Sequence, residues 1–225
     1  MKRFYLPTKG PECWKGRLMD PVKQWKPGFS AYELAHSWEN AGHFPEKVET
    51  VFKDSGIPLF SGMEFLYGFP EYQVALPGGG ASSQTDLYVL AKAGTELVVI
   101  MVEGKVSEPF GETVEKWLGD SPSDGKRKRL DWLTSLLALK EEEITGVRYQ
   151  LLHRTAAAII EAKRVNAWHA LMLVHSFSKE GKGFEDYRDF VRLFNLNAGK
   201  DSISGPVDVQ GVQLYFSWVS EMESS

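Results

Sequence analysis

The sequence predicts an α/β domain with a mixed central β-sheet flanked by helices, and three observations carry this. Two β-rich runs, 85–91 and 97–106, are joined by Lys92-Ala-Gly-Thr-Glu96, a short connection with Gly in the turn, as a hairpin requires. The second run, LVVIMVEGKV, is apolar on both parities, which marks a central strand covered on both faces. Around this hairpin the patterns run in the order helices, three extended segments, helices, strand, helix, strand, which is the order of a single α/β layer architecture.

Size and charge set the outer limits. A chain of 225 residues with 43% hydrophobic and 25% charged residues buries about 70% of its unfolded surface, enough for a core without disulfide or structural metal. The single cysteine, Cys13, excludes a disulfide framework and any multi-cysteine zinc or iron–sulfur site. Lys and Arg number 26 against 30 Asp and Glu, a formal charge of -4, which excludes the strongly basic footprint of a nucleic-acid coat protein but leaves room for a local basic groove. The N-terminus is broken by Pro7, Lys9, Pro11 and Glu12, with no apolar stretch of a signal peptide, and the longest apolar runs, 97–102 and 170–174, fall far short of the ~20 residues of a membrane span. The expectation is a cytoplasmic protein with no membrane contact.

Residues 1–28, rich in Pro, Gly and Trp without a sustained period, read as an irregular arm laid over the domain by Trp14 and Trp25, with one domain over 29–225. Ser30-Ala-Tyr-Glu33 has capping-box spacing and opens a helix that stops at Gly42. A second helix fits 45–54, with Pro at its first turn. Residues 63–76, with Phe65, Tyr67, Phe69, Tyr72 and Val74, suit an extended segment bent at Pro70 and closed by Pro77-Gly-Gly-Gly80. After the hairpin come a helix at 109–118, a polar loop at 121–129, helices at 130–140 and 147–165, a strand at 168–177, a helix at 184–194 and a closing strand at 209–219.

The chemistry concentrates on the hairpin. Glu103 and Lys105 share a face of their strand, because side chains alternate. With the turn centred between Ala93 and Gly94, Asp86 lies opposite Met101, on that same face. Two carboxylates on adjacent strands offer hard oxygen ligands suited to Mg²⁺ or Mn²⁺, and a neighbouring lysine can orient water or stabilise charge on a phosphorus centre. The alternative is an edge salt bridge at the solvated end of a buried strand.

In this order of elements, with Asp86 and the Glu103-Gly-Lys105 tripeptide on adjacent strands, the chain resembles the PD-(D/E)xK nuclease superfamily over about residues 30–177. The resemblance implies a restriction-endonuclease-like αβββαβ core, Asp86 and Glu103 as Mg²⁺ ligands and Lys105 at the attacking water. Thr85 stands where the name-giving Pro would be. An acid on the first core helix often completes such a site, so Glu33 is either a metal ligand or a helix cap. By the same resemblance Gln150 and Arg154 of RYQLLHRT contact the scissile phosphate with His153 near them, or else belong to a solvated polar face. The chain also resembles a bacterial family of unknown function built around QTDLYVL, VEGKV and RYQLLHRT.

Lys126-Arg-Lys-Arg129 is the one basic run, either a grip on phosphate backbone through Lys126 and Arg127 or a solvated helix start. The triple glycine with Ser82 and Ser83 lacks the Lys and following helix of a P-loop and reads as a flexible turn or lid. The function expected is a Mg²⁺-dependent endonuclease acting on nucleic acid, with a homodimer as the usual assembly of restriction-like enzymes. The alternative is a non-catalytic member of the same fold that binds nucleic acid or a protein.

Overall fold

The computed structural model describes residues 7–221, so the first six residues of the expected arm and the last four of the expected domain lie outside the described residues. In chain order the arm carries α1 (Glu12–Lys15) and α2 (Pro21–Gln24), followed by α3 (Ser30–Ala41) and α4 (Glu46–Asp54). The meander β1 (Glu64–Val74), β2 (Ser83–Ala93) and β3 (Glu96–Lys105) leads to α5 (Val114–Leu118), α6 (Asp124–Leu137), α7 (Glu141–Ile144) and α8 (Tyr149–Arg164). The chain closes with β4 (His169–Ser176), α9 (Phe184–Arg192), β5 (Ser202–Val209) and β6 (Val212–Ser220). The six strands form one mixed sheet in the order β1-β2-β3-β4-β6-β5, in which β3, β4 and β6 run parallel and the other neighbours antiparallel.

β3 behaves as its composition demands. Val99 and Met101 enter the apolar layer shared with Leu133, Leu152 and Phe190 of α6, α8 and α9. Val98, Ile100 and Val102 enter the opposite layer with Leu34 and Val48 of α3 and α4. Each such side chain, fully buried, contributes about 1.5–3 kcal/mol, so charge is tolerated only at the strand's end. Even that end is not solvated: Glu103 and Lys105 are 2% and 3% exposed.

Several expectations are corrected. The arm contains two helical turns, and Trp14 is buried with the α3/α4 layer, its indole N–H donating to Glu39 at 2.8 Å. The basic run is not a loop: Ser123 caps α6 through Lys126 N at 3.4 Å, so the helix begins at Asp124 rather than 130 and the run forms its first turns. Only the last five residues of the expected 109–118 helix are helical, starting after the Thr113 cap. α7 and β5 were not expected. β5 is an edge strand whose register slips between Ser204 and Val207, and there Pro206, which lacks an N–H, costs no central ladder bond. Among the described residues no helix is long and apolar enough to cross a membrane.

Candidate active site

The hairpin turn centres one residue later than the spacing suggests. Ala93 pairs with Glu96, and Tyr88, not Asp86, lies opposite Met101. A one-residue move of the centre shifts register by two, so every residue keeps its side of the sheet. Asp86 thereby falls at the level of Glu103, one step beyond the last regular pair, Leu87 with Val102. Side chains take over from the ladder at that point: the Thr85 hydroxyl donates to the Val102 carbonyl at 3.1 Å, and Gly104 N donates to Asp86 Oδ2 at 2.8 Å.

Glu103 is the centre of a buried knot. Its Oε1 accepts from Lys105 Nζ at 2.9 Å and Gln150 Nε2 at 2.6 Å, and its Oε2 from Arg154 Nε at 2.7 Å. Lys105 Nζ also donates to Gln150 Oε1 at 3.2 Å and lies 4.6 Å from the centre of the Phe110 ring. Gln150 and Arg154 reach this point together because they stand four residues apart on α8, one above the other on the helix face turned to β3. Burial alone pushes the Glu103 carboxyl up, but the Arg154 and Lys105 charges overcome it and hold the group below the ordinary range. The Glu103–Lys105 salt bridge offered as the alternative is made, but buried on a central strand rather than at a solvated edge, and Arg154 shows that this face of α8 is not solvated.

The structure adds an acid that the sequence reading missed. Glu71 sits on β1 between Pro70, paired with Leu87, and Tyr72, paired with Thr85, which sets it across from Asp86. Its φ of 53° is left-handed, a conformation that costs a residue with a side chain about 1–3 kcal/mol and recurs at functional sites. Gln84 Nε2 donates to its Oε2 at 2.7 Å. Burial pushes the Glu71 carboxyl up to about 7, with Gln84 and Arg154 opposing and the Glu103 charge adding. Burial likewise pushes Asp86 well above its usual value, reinforced by Glu103 and Glu71 against Arg154 and Lys105. A Pro-Glu step inside an aromatic strand was the available signal, but the loop at 75–82 left the β1/β2 register open.

Glu33 does not join these groups. Its Oε1 accepts from Gly28 N at 2.7 Å, Phe29 rather than Ser30 is the cap residue of α3, and no side-chain cap bond is made there. Glu33 therefore ties the arm to the start of α3, replacing the expected capping box.

Glu71, Asp86, Glu103, Lys105, Gln150 and Arg154 line one cleft of about 480 Å³, walled on the arm side by Leu18 and Met19. Met19 is 85% exposed, an apolar lip on a polar cleft. His153 also lines it, with Nδ1 2.8 Å from Ser83 Oγ, and is held neutral because burial, then Arg154 and Arg129, push its pKa well below the usual value. Lys126 lies at a neighbouring cavity, where its ammonium donates to the Trp117 carbonyl, and Arg127 is exposed on α6.

Among the described residues no three His, Cys, Asp or Glu form a ready cluster for a metal ion. Both Glu103 oxygens are, moreover, taken by Lys105, Gln150 and Arg154. Asp86 and Glu71 are the carboxyls of the cleft that make no ion pair among the described residues, hard oxygen groups of the kind that suit Mg²⁺ or Mn²⁺, and burial is the main cause of their upward shifts.

A family model described as a domain of unknown function, DUF6946, matches residues 7–223. No curated protein and no solved structure matches the chain.

Proposed function

The chain belongs to the DUF6946 family, and we propose that it is a divalent-cation-dependent phosphodiester hydrolase acting on nucleic acid. One observation carries this reading: two buried carboxyl groups, Glu71 and Asp86, share a cleft with an anchored lysine and arginine. The arrangement resembles PD-(D/E)xK nucleases, with the third acid coming from β1 in place of the first core helix.

In this reading Asp86 and Glu71 would hold Mg²⁺ or Mn²⁺, which when bound supplies Lewis-acid polarisation of a phosphoryl oxygen and a more acidic water. Lys105, fixed by Glu103 and Gln150, directs its ammonium at the attacking water or the charge growing on the phosphoryl oxygens. Arg154 is held through Nε by Glu103 and through Nη1 by Ser83, which leaves Nη2 for the phosphate. Glu103 is then a positioning residue that orients both cations rather than a direct ligand. Glu108 and Glu112 also line the cleft, giving five acids against Lys105 and Arg154, so a phosphodiester enters together with a cation.

A second reading, a non-catalytic member that binds nucleic acid or a protein, is favoured by the saturation of Glu103. Cleavage of plasmid and oligonucleotides with Mg²⁺ or Mn²⁺ separates the two, run alongside Asp86→Ala and Lys105→Ala. Metal-dependent cleavage lost in both variants supports the hydrolase. Equal cleavage by all three preparations sinks it, and absence of both cleavage and calorimetric Mg²⁺ binding supports the non-catalytic reading.

A further inference from the structure

Past Trp117, Tyr149 and His153, which line both hollows, the cleft adjoins a second cavity of about 380 Å³. Its walls are the glycine loop at 78–80, Ser82, Ser83, Ser123 and the first turns of α6 with Lys126 and Arg129. None of these lining residues is acidic.

The glycine loop by itself lacks the Lys and the helix of a phosphate cradle, but the fold brings both to it from 50 residues down the chain. Gly78 and Gly125 meet backbone to backbone: a Cβ on Gly78 would lie 2.2 Å from the Gly125 carbonyl oxygen, and one on Gly125 2.4 Å from that of Gly78. Arg129, 8% exposed, is threaded into the loop, with Nε donating to Pro77 O and Nη1 to Ala81 O, both at 2.9 Å, and Nη2 to Gly79 O. Lys126 donates to Trp117 O and lies over the Trp117 ring. These partners are neutral carbonyls and a ring. Among the described residues neither cation is paired with a carboxylate, although buried charges are ordinarily paired. Lys126 and Arg129 thus place positive charge without a carboxylate partner on a cavity wall, beside the N-terminus of a 14-residue helix whose first turn also carries the exposed Asp124.

We propose that this cavity is an oxyanion site that takes a phosphate group, held by Lys126, the Ser82 and Ser123 hydroxyls and the start of α6, with Arg129 adding positive charge from within the loop. That this phosphate flanks the scissile one in the same nucleic-acid strand rests on the hydrolase reading above, through the wall shared by the two hollows. The cavity supplies the positive charge that the acid-rich cleft lacks, so the substrate is gripped beside the reacting bond rather than at it.

The test begins with the full chain free of divalent metal, at low ionic strength, titrated calorimetrically with inorganic phosphate. The wild type binds saturably and more weakly as salt rises; Lys126→Met lowers affinity about tenfold or more, as loss of a charged hydrogen bond does, and Lys126→Arg restores it. Arg129 is unsuited to this comparison, since its removal frees three loop carbonyls. No saturable binding by the wild type, or equal affinity in Lys126→Met, overturns the site. In the cleavage assay Lys126→Met raises KM with kcat nearly unchanged. An unchanged KM beside a normal phosphate affinity in the wild type overturns the flanking-phosphate assignment and leaves free phosphate as the ligand. Phosphate binding without any cleavage removes the hydrolase reading, and the flanking-phosphate assignment with it, while the oxyanion site stands.

Discussion

The two adjoining hollows hold charge in opposite ways. In the cleft, Glu103 meets Lys105 and Arg154 in direct ion pairs, and five acids line the walls against these two cations. In the glycine cavity, Arg129 is caged by three carbonyl oxygens and Lys126 meets one carbonyl and a ring, and no lining residue is acidic. A carbonyl cage satisfies hydrogen bonds without cancelling charge, whereas a carboxylate partner does both. The contrast separates charges that are neutralised within the fold from charges that are only hydrogen-bonded within it.

The largest expected effect comes from breaking the knot. Glu103→Gln leaves Arg154 and Lys105 buried without their counter-charge and lowers stability by about 3–5 kcal/mol, read as a fall in the urea midpoint. A loss under ~1 kcal/mol would mean that the knot is not the structural half of the contrast. Asp86→Asn is expected to do the reverse: cleavage falls on the order of 10²-fold or more, while metal-free stability is unchanged or higher because a crowded like charge is gone. A matching loss of stability and activity would make Asp86 another structural acid.

A smaller effect is the pH dependence that each region imposes. Glu71 is raised to about 7 in the native protein from an ordinary 4.5, with Glu103, Arg154 and Gln84 facing it. The folded state therefore binds more protons than the unfolded one between these values, and this contribution to stability is lost as pH rises through 7. Glu71→Gln should flatten that fall in a series of urea midpoints taken without metal, and Mg²⁺ should raise the wild-type midpoint more at the alkaline end. Smallest of all, His153 near the glycine cavity works in the opposite direction. Its pKa is depressed, so below about 6.5 the unfolded chain takes up the proton first and stability drops as the solution becomes more acidic. Thermal midpoints of His153→Gln at mildly acid pH should lack that drop.

Much of this arrangement was legible beforehand, for identifiable reasons. Side-chain alternation put Glu103 and Lys105 on one face, and Asp86 reached the same face even though the turn centre was misplaced, because an even register shift conserves parity. Helical spacing kept Gln150 and Arg154 together. Glu71 was hidden by a loop too long to set the register between β1 and β2, and Glu33 was drawn away by an amide of the arm that no spacing rule connects to it. The basic run at 126–129 read as one unit, a phosphate grip or a solvated helix start, yet it divides within one helical turn: Lys126 and Arg129 turn inward, Arg127 and Lys128 outward.

Short-range backbone geometry, written in the sequence as period and turn chemistry, determined the hairpin, the doubly covered strand, the long helix and the convergence of Asp86, Glu103 and Lys105. Tertiary structure alone decided which charges were neutralised. Coulomb energy depends on separation and burial, and those arise where β1, β3, α6 and α8 make contacts across 51 to 89 residues of chain. The same fold that pairs Glu103 with two cations leaves Glu71, Asp86, Lys126 and Arg129, among the described residues, outside any ion pair.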